Sequence, residues 1–246
     1  MSKLRKVDGV YYDLSLPENF GTIKYRSMKV KETRSLLTAI EMRDEVAVVN
    51  TILDIIETAT RASFDVRSLP MHIIDLIFLR VYSKSSGNRS TGSYICAGST
   101  TTEEGEETPC GKAVNVEIDL DKADLMYPDG YKTREIINVG DGQNIVLRIP
   151  SLENFKRLKT DSDATTQFIY SGVESITDGD NVLVPGQDFS VSDLNDWLSE
   201  LEDRALDKIK AFFREIPKLG LDIKATCPHC GKKEEFEIRG LEDFFV

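Results

Sequence analysis

Four cysteines stand in 246 residues, and two of them form the turn Cys227-Pro228-His229-Cys230-Gly231. A Cys-x-x-Cys followed by glycine aims two thiols at one point, and zinc prefers four such soft ligands in a tetrahedron. Cys96 and Cys110 complete the set. The sequence therefore predicts one structural zinc ion on Cys96, Cys110, Cys227 and Cys230, tying the middle of the chain to its end. Cys96 and Cys110 lie further apart than a usual zinc-binding pair. The residues between them read as a solvated excursion, Gly98-Ser99-Thr100-Thr101-Thr102 and then Glu103, Glu104, Glu106 and Glu107. Without it, both cysteines sit at the mouth of a hairpin. The rivals are disulfides and a redox Cys-x-x-Cys, but the redox motif needs a thioredoxin-like strand and helix. Here Lys224–Cys227 and Glu234–Arg239 read as two strands of a hairpin. Four thiolates leave no open position for a water, so the metal is structural rather than catalytic. His229, inside the turn, is expected to point away.

Composition narrows the class. At 40% hydrophobic and 30% charged residues the chain has ordinary globular material. No stretch approaches the ~20 apolar residues of a membrane span, and the polar, basic start does not read as a signal peptide. Sparse cysteines then fit a reducing, intracellular compartment. The net charge is −11, and the basic runs are limited to Lys3, Arg5 and Lys6 and to Lys156-Arg157-Leu158-Lys159. A phosphate backbone is bound through Lys and Arg, so no nucleic-acid partner is expected.

Periodicity places the elements. Gly21–Arg26 alternates as a strand. Leu36, Leu37 and Ile40 recur at helical spacing, and Val46, Val49, Leu53, Ile56 and Ala59 form the stripe of a second helix. Ser68 and Pro70 open a third helix, Met71 to Tyr82, apolar nearly all round and so internal. Ser83–Gly92 reads as a boundary. Strands follow at Tyr94–Cys96, Ala113–Leu120, Glu135–Asn138 and Gln143–Ile149, with Gly140-Asp141-Gly142 as a hairpin turn. Leu152, Phe155 and Leu158 form a short amphipathic segment. Thr160–Gly186 is polar around Phe168-Ile169-Tyr170, whose aromatics are candidate partner anchors. One long helix is expected from Ser190 to Ile216, capped by Ser190 with Asp193 and stopped by Pro217.

No phosphate loop or dinucleotide fingerprint is present. His72, at the head of the apolar third helix, reads as a packing residue. Asp119, Asp121 and Asp124 could hold a hard cation, which would suit a carboxylate-metal hydrolase. Asp178-Gly179-Asp180-Asn181 is a fragment of a calcium loop that reads better as a turn. Trp197 and Phe213 read as core. No catalytic residue is assigned, and the expectation is a protein that is not an enzyme.

The chain resembles the T-even bacteriophage baseplate hub family, which includes a baseplate hub subunit and a hub assembly protein. The resemblance rests on Phe20-Gly21-Thr22-Ile23-Lys24-Tyr25-Arg26 leading to Lys31-Glu32, then Leu69-Pro70 ahead of Asp75-Leu76-Ile77-Phe78-Leu79-Arg80 and Ser83-Lys84-Ser85-Ser86-Gly87. It continues in Phe212-Phe213-Arg214-Glu215-Ile216-Pro217-Lys218-Leu219, the Cys227–Gly231 turn and Gly240-Leu241-Glu242-Asp243-Phe244-Phe245. It implies a non-enzymatic late protein or chaperone made in the host cell cytoplasm during tail assembly. Its partners would be other baseplate hub proteins, and it would either remain in the virion tail baseplate or only assist its assembly.

The expected fold is α+β: a helical body (1–86 with 190–217), a zinc-stapled antiparallel β module (87–150 with 218–246) and a polar connecting region (151–189). The alternative function is a zinc-ribbon nucleic-acid-binding or transcription accessory protein, which salt-dependent binding to DNA or RNA would reveal.

Overall fold

The computed structural model describes residues 7–101, 106–155 and 163–244. Helices and small antiparallel sheets make it an α+β protein. Two compact units divide the chain: Met1–Phe64, Asp75–Leu125 and Lys218–Val246 form one, and Asp65–Ile74 with Met126–Pro217 the other.

In the first unit, β1 (Tyr11–Ser15) and β2 (Thr22–Arg26) form a hairpin, closed through Glu18 and Asn19 at positive φ. α1 (Val30–Glu41) and α2 (Glu45–Ala59) follow, and Asp44 caps α2 by accepting the Ala47 N–H. Only part of the expected α1 stripe is internal. Leu36 and Ala39 are buried, whereas Leu37 and Ile40 face solvent, because helical spacing reports a face but not which side of it is covered. α3 (Met71–Ser83) is apolar all round as expected; Ile77, Phe78, Leu79 and Val81 are fully buried. β3 (Arg89–Ile95) pairs with β6 (Ala113–Asp119), and β4 (Ser99–Thr101) with β5 (Glu107–Pro109). β7 (Asp124–Met126), β12 (Lys218–Thr226) and β13 (Lys233–Arg239) form a three-stranded sheet in the order β13-β12-β7.

One buried ion pair organises the α1 end of this unit. Arg26 donates from both terminal nitrogens to the Glu32 carboxylate, at 2.9 and 2.8 Å. Glu32 also accepts the Lys29 N–H at 2.8 Å, capping the first turn of α1. Burial alone would raise the Glu32 pKa, but the Arg26 and Lys29 hydrogen bonds outweigh it and hold the carboxyl below its ordinary value.

In the second unit, β8 (Arg134–Gly140), β9 (Gln143–Arg148), β10 (Val173–Asp178) and β11 (Asn181–Leu183) form an antiparallel sheet in the order β11-β10-β9-β8. The β8–β9 turn is the expected one, with Gly140, Asp141 and Gly142 all at positive φ. A short α4 (Leu152–Phe155) precedes α5 (Ala164–Gly172), α6 (Val191–Ser199) and α7 (Asp203–Arg214). The inward strand positions Ile137, Val139, Ile145, Leu147, Val173 and Ile176 meet Ile169, Leu194, Leu198, Ala205, Ile209 and Phe212 in one core.

Three expectations are corrected here. Residues 190–217 group with 126–189 rather than with the N-terminal helices, because the α6–α7 stripe packs on the β8–β10 face. The cysteine hairpins instead share a unit with α1, α2 and most of α3. The region 151–189 is no connector: Asp163 accepts the N–H groups of Thr165 and Thr166 and starts α5, and β10 completes the sheet. The expected single helix is broken at Glu200–Glu202. Acidic residues disfavour the negative end of α6, while Glu202 and Asp203 suit the positive start of α7. The Ser190–Asp193 capping box forms as expected. Leu158, the basic run 156–159 and Phe245 lie outside the described residues.

Candidate metal centre

Each cysteine of the first unit sits where a strand ends. Cys96 follows β3, Cys110 follows β5, Cys227 follows β12, and Cys230 lies in the turn before β13. The wide Cys96–Cys110 spacing has a simple origin. Ile95 pairs with Ala113 and Ser99 with Pro109, so the hairpin keeps one register past the cysteines. Between these pairs Cys96 N–H donates to Lys112 O (2.9 Å) and Cys110 N–H to Gly98 O (2.7 Å). Cys96 and Cys110 are thus diagonal neighbours on one face of a hairpin, as the mouth-of-a-hairpin reading expects. Gly111, at positive φ, lets the strand turn beside Cys110.

The second pair comes from the β12–β13 turn. Cys227 N–H donates to Lys232 O and Gly231 N–H to Cys227 O, both at 2.9 Å, and Gly231 takes the positive φ that closes the turn. The four ligand sulphurs lie within 4.8 Å of one another. Cys96 Sγ is 3.5 Å from Cys230 Sγ, and Cys110 Sγ is 3.8 Å from Cys227 Sγ across 117 positions of sequence. Disulfide sulphurs stand about 2.05 Å apart, so these are four free thiols. A zinc ion at about 2.3 Å from each of four sulphurs sets tetrahedral edges of about 3.8 Å. The donor set and its spacing fit that ion.

The surroundings fit as well. Cys96, Cys110 and Cys227 are buried and Cys230 half-buried. The Cys96 thiol accepts the Gly98 N–H at 3.3 Å, which favours its thiolate, yet burial and the other thiols push it up to about 12. A hydrogen bond from the Lys112 backbone lowers the Cys110 thiol, but burial with Cys230 and Cys227 outweighs it and leaves the pKa raised. Burial also opposes ionisation of Cys227, but the N–H groups of Cys230 and His229 bring it down to about 7. Such crowded sulphurs can share one negative charge at neutral pH, and a divalent cation would let all four ionise. Tyr94 packs against the cluster and on Phe236. Its buried hydroxyl has no hydrogen-bond partner among the described residues. Ala97 joins the two hairpins: Lys232 Nζ donates to its carbonyl (3.1 Å) and Glu234 accepts its N–H (3.2 Å).

Among the described residues, no other group of three or more His, Cys, Asp and Glu converges in this way. Asp119 caps a turn by accepting the Asp121 N–H, Asp121 accepts from Ser83 and Lys84, and Asp124 pairs with Arg80. His72 is buried edge-on to Tyr131, and His229 is exposed. Asp178–Asn181 is the β10–β11 turn, with Gly179 at positive φ. Trp197 and Phe213 pack on the core of the second unit. Tyr170 packs on that core and donates to Phe189 O at 3.2 Å, whereas Phe168 stacks edge-on against Phe213 and stays 37% exposed. Gly98, Tyr94 and the Lys232–Glu234 pair escape a sequence reading centred on the thiols. Cys-Gly-Lys, present at both 110–112 and 230–232, is the signal that pairs the two turns.

A family model described as "T4 bacteriophage base plate protein" matches residues 10–246. Comparison with curated proteins and with solved structures finds no match.

Proposed function

The chain belongs to the T4 bacteriophage base plate protein family, and from that premise we propose that it acts, without catalysis, in assembly of the baseplate hub. The observation that carries the reading is the extent of the match, which runs from residue 10 to 246 and takes in both units and all four cysteines. Its partners are other baseplate proteins, met in the host cytoplasm or retained in the virion tail. The net charge of −11 disfavours a phosphate backbone among them.

In this reading Cys96, Cys110, Cys227 and Cys230 hold one zinc ion. Bound there, zinc supplies a cross-link between two hairpins and adds its binding free energy to folding. The chain prepares the place: the His229 and Cys230 N–H groups stabilise a thiolate at Cys227, the Gly98 N–H donates to Cys96, and Ala97 fixes the distance between the hairpins. Rigid hairpins present fixed surfaces, which lowers the ordering cost of binding a partner.

The test is affinity purification of the tagged chain from infected cells, followed by protein identification and metal analysis. Baseplate proteins retained with the wild type and reduced with Cys230→Ser support the reading. A chain that captures none of them, and whose deletion leaves hubs intact, refutes it. Identification of the chain in purified particles decides between subunit and assembly factor.

A further inference from the structure

The outward face of α1 carries an apolar stripe among exposed Lys31, Arg34, Ser35, Thr38 and Glu41, where a surface helix is normally polar throughout. Val30, Leu37 and Ile40 are 69%, 53% and 49% exposed, and Met42 and Val46, at the turn into α2, are 67% and 70% exposed. The inward face is supplied by Glu32, Leu36 and Ala39, and Leu37 and Ile40 keep about half of their surface in solvent. Val30, Thr33, Leu37 and Ile40 recur at the three-and-four spacing by which one helix seats on another.

The charges beside this stripe say what fits it. Exposed Lys31 and Arg34 lie in the first half of the helix, exposed Glu41 ends it, and exposed Arg43 and Asp44 follow in the turn to α2. Such a row complements itself only when two copies run antiparallel; in parallel, Arg34 meets Arg34. We propose that this face is a two-fold contact with a second copy of the chain, the α1 helices antiparallel about an axis between Leu37 and Ile40. Leu37 of each copy then faces Ile40 of the other, and Arg34 of each meets Glu41 of the other, so every pair occurs twice. Lys31 approaches Asp44 at each end. Two helices of this length bury less than the roughly 1,200–2,000 Å² of a standard interface, so the contact belongs to the small, reversible class. This inference goes beyond the hub reading and needs neither the metal nor another baseplate protein.

Charge reversal tests it on the full chain by sedimentation equilibrium across the micromolar range. The wild type is expected to show a monomer–dimer equilibrium. Arg34→Glu and Glu41→Arg should each weaken it about tenfold or more, since like charges then meet twice. The two single variants mixed together should associate as the wild type does, and the double variant R34E/E41R should recover self-association. Both positions tested are exposed, and unchanged thermal unfolding verifies that the variants are folded. A wild type that stays monomeric overturns the proposal, as does a double variant no better than the singles.

Discussion

Gly98 stands against the sulphur of Cys230: a Cβ built on Gly98 would lie 2.7 Å from that Sγ and 3.1 Å from the Lys232 side chain. No left-handed backbone angle explains the glycine, since its φ lies outside that region. The thiol itself demands the space. Gly98→Ala should displace Cys230 from the other sulphurs and weaken zinc binding about tenfold or more, the usual scale for a residue supporting metal ligands. Competition against a chromophoric chelator measures it, with Ser99→Ala, at an exposed neighbouring position, as the control. Equal affinities for Gly98→Ala and wild type would show that zinc does not use Cys230.

Metal removal should act on the first unit. One zinc per chain is expected in the purified wild type, and Cys230→Ser should lose it along with the slow hydrogen exchange of β3, β6, β12 and β13. Tyr94→Phe should separate the hydroxyl from the ring. It removes a buried group that lacks a partner without metal, so the metal-free protein should unfold no earlier than the metal-free wild type. Zinc affinity should stay as in the wild type, because the hydroxyl donates to none of the four sulphurs. Metal-free wild type with undiminished exchange protection would refute the staple.

What the sequence made legible was local. Helical periodicity located α2 and α3, Gly140-Asp141-Gly142 located the β8–β9 turn, and Ser190 with Asp193 located the start of α6. The cysteine turn was legible too, because Cys227–Gly231 is contiguous. Which elements share a unit was not, since nothing local in Ala205, Ile209 and Phe212 says whether a sheet or another helix covers them. Thr165 and Thr166 made α5 read as polar loop, although Asp163 in front of them was a capping signal. Leu37 and Ile40 show the same limit from the other side: the spacing marks a helix, and burial is decided by Leu36 and Ala39.

The Arg26–Glu32 pair makes acid stability predictable. The Glu32 carboxyl is held below its ordinary value in the folded protein, against about 4.3 when unfolded. Its contribution is therefore fully present above about pH 4.3 and is lost as pH falls through the folded value. Glu32→Gln should cost about 3 kcal/mol near neutral pH, because it leaves the Arg26 charge buried without its counter-ion. It should also flatten the acid limb of stability against pH. Denaturant unfolding of both proteins between pH 3 and 7 (the range set by these about-4 values) measures both effects. An unchanged acid limb would mean that other carboxylates set it.

Gly172 gives the second unit its own test. A Cβ there would stand 2.5 Å from Phe213 Cε1 and 2.9 Å from the Arg148 carbonyl oxygen. The ring could turn aside, but the carbonyl belongs to β9 and cannot. Phe213 is also stacked on Phe168 and Phe212, so turning it would disturb α5 and α7 together. Gly172→Ala should then destabilise this unit by about 1–3 kcal/mol, the usual cost of overpacking. Truncating Phe213 as well, in Gly172→Ala with Phe213→Ala, should cost less than the sum of the two single losses, since removing the ring removes the ring's part of the clash. Zinc content should be untouched in all three variants, because the cysteines lie in the first unit. Additive losses in the double variant would show that Gly172 and Phe213 do not meet, and would move the α5–α7 contact elsewhere.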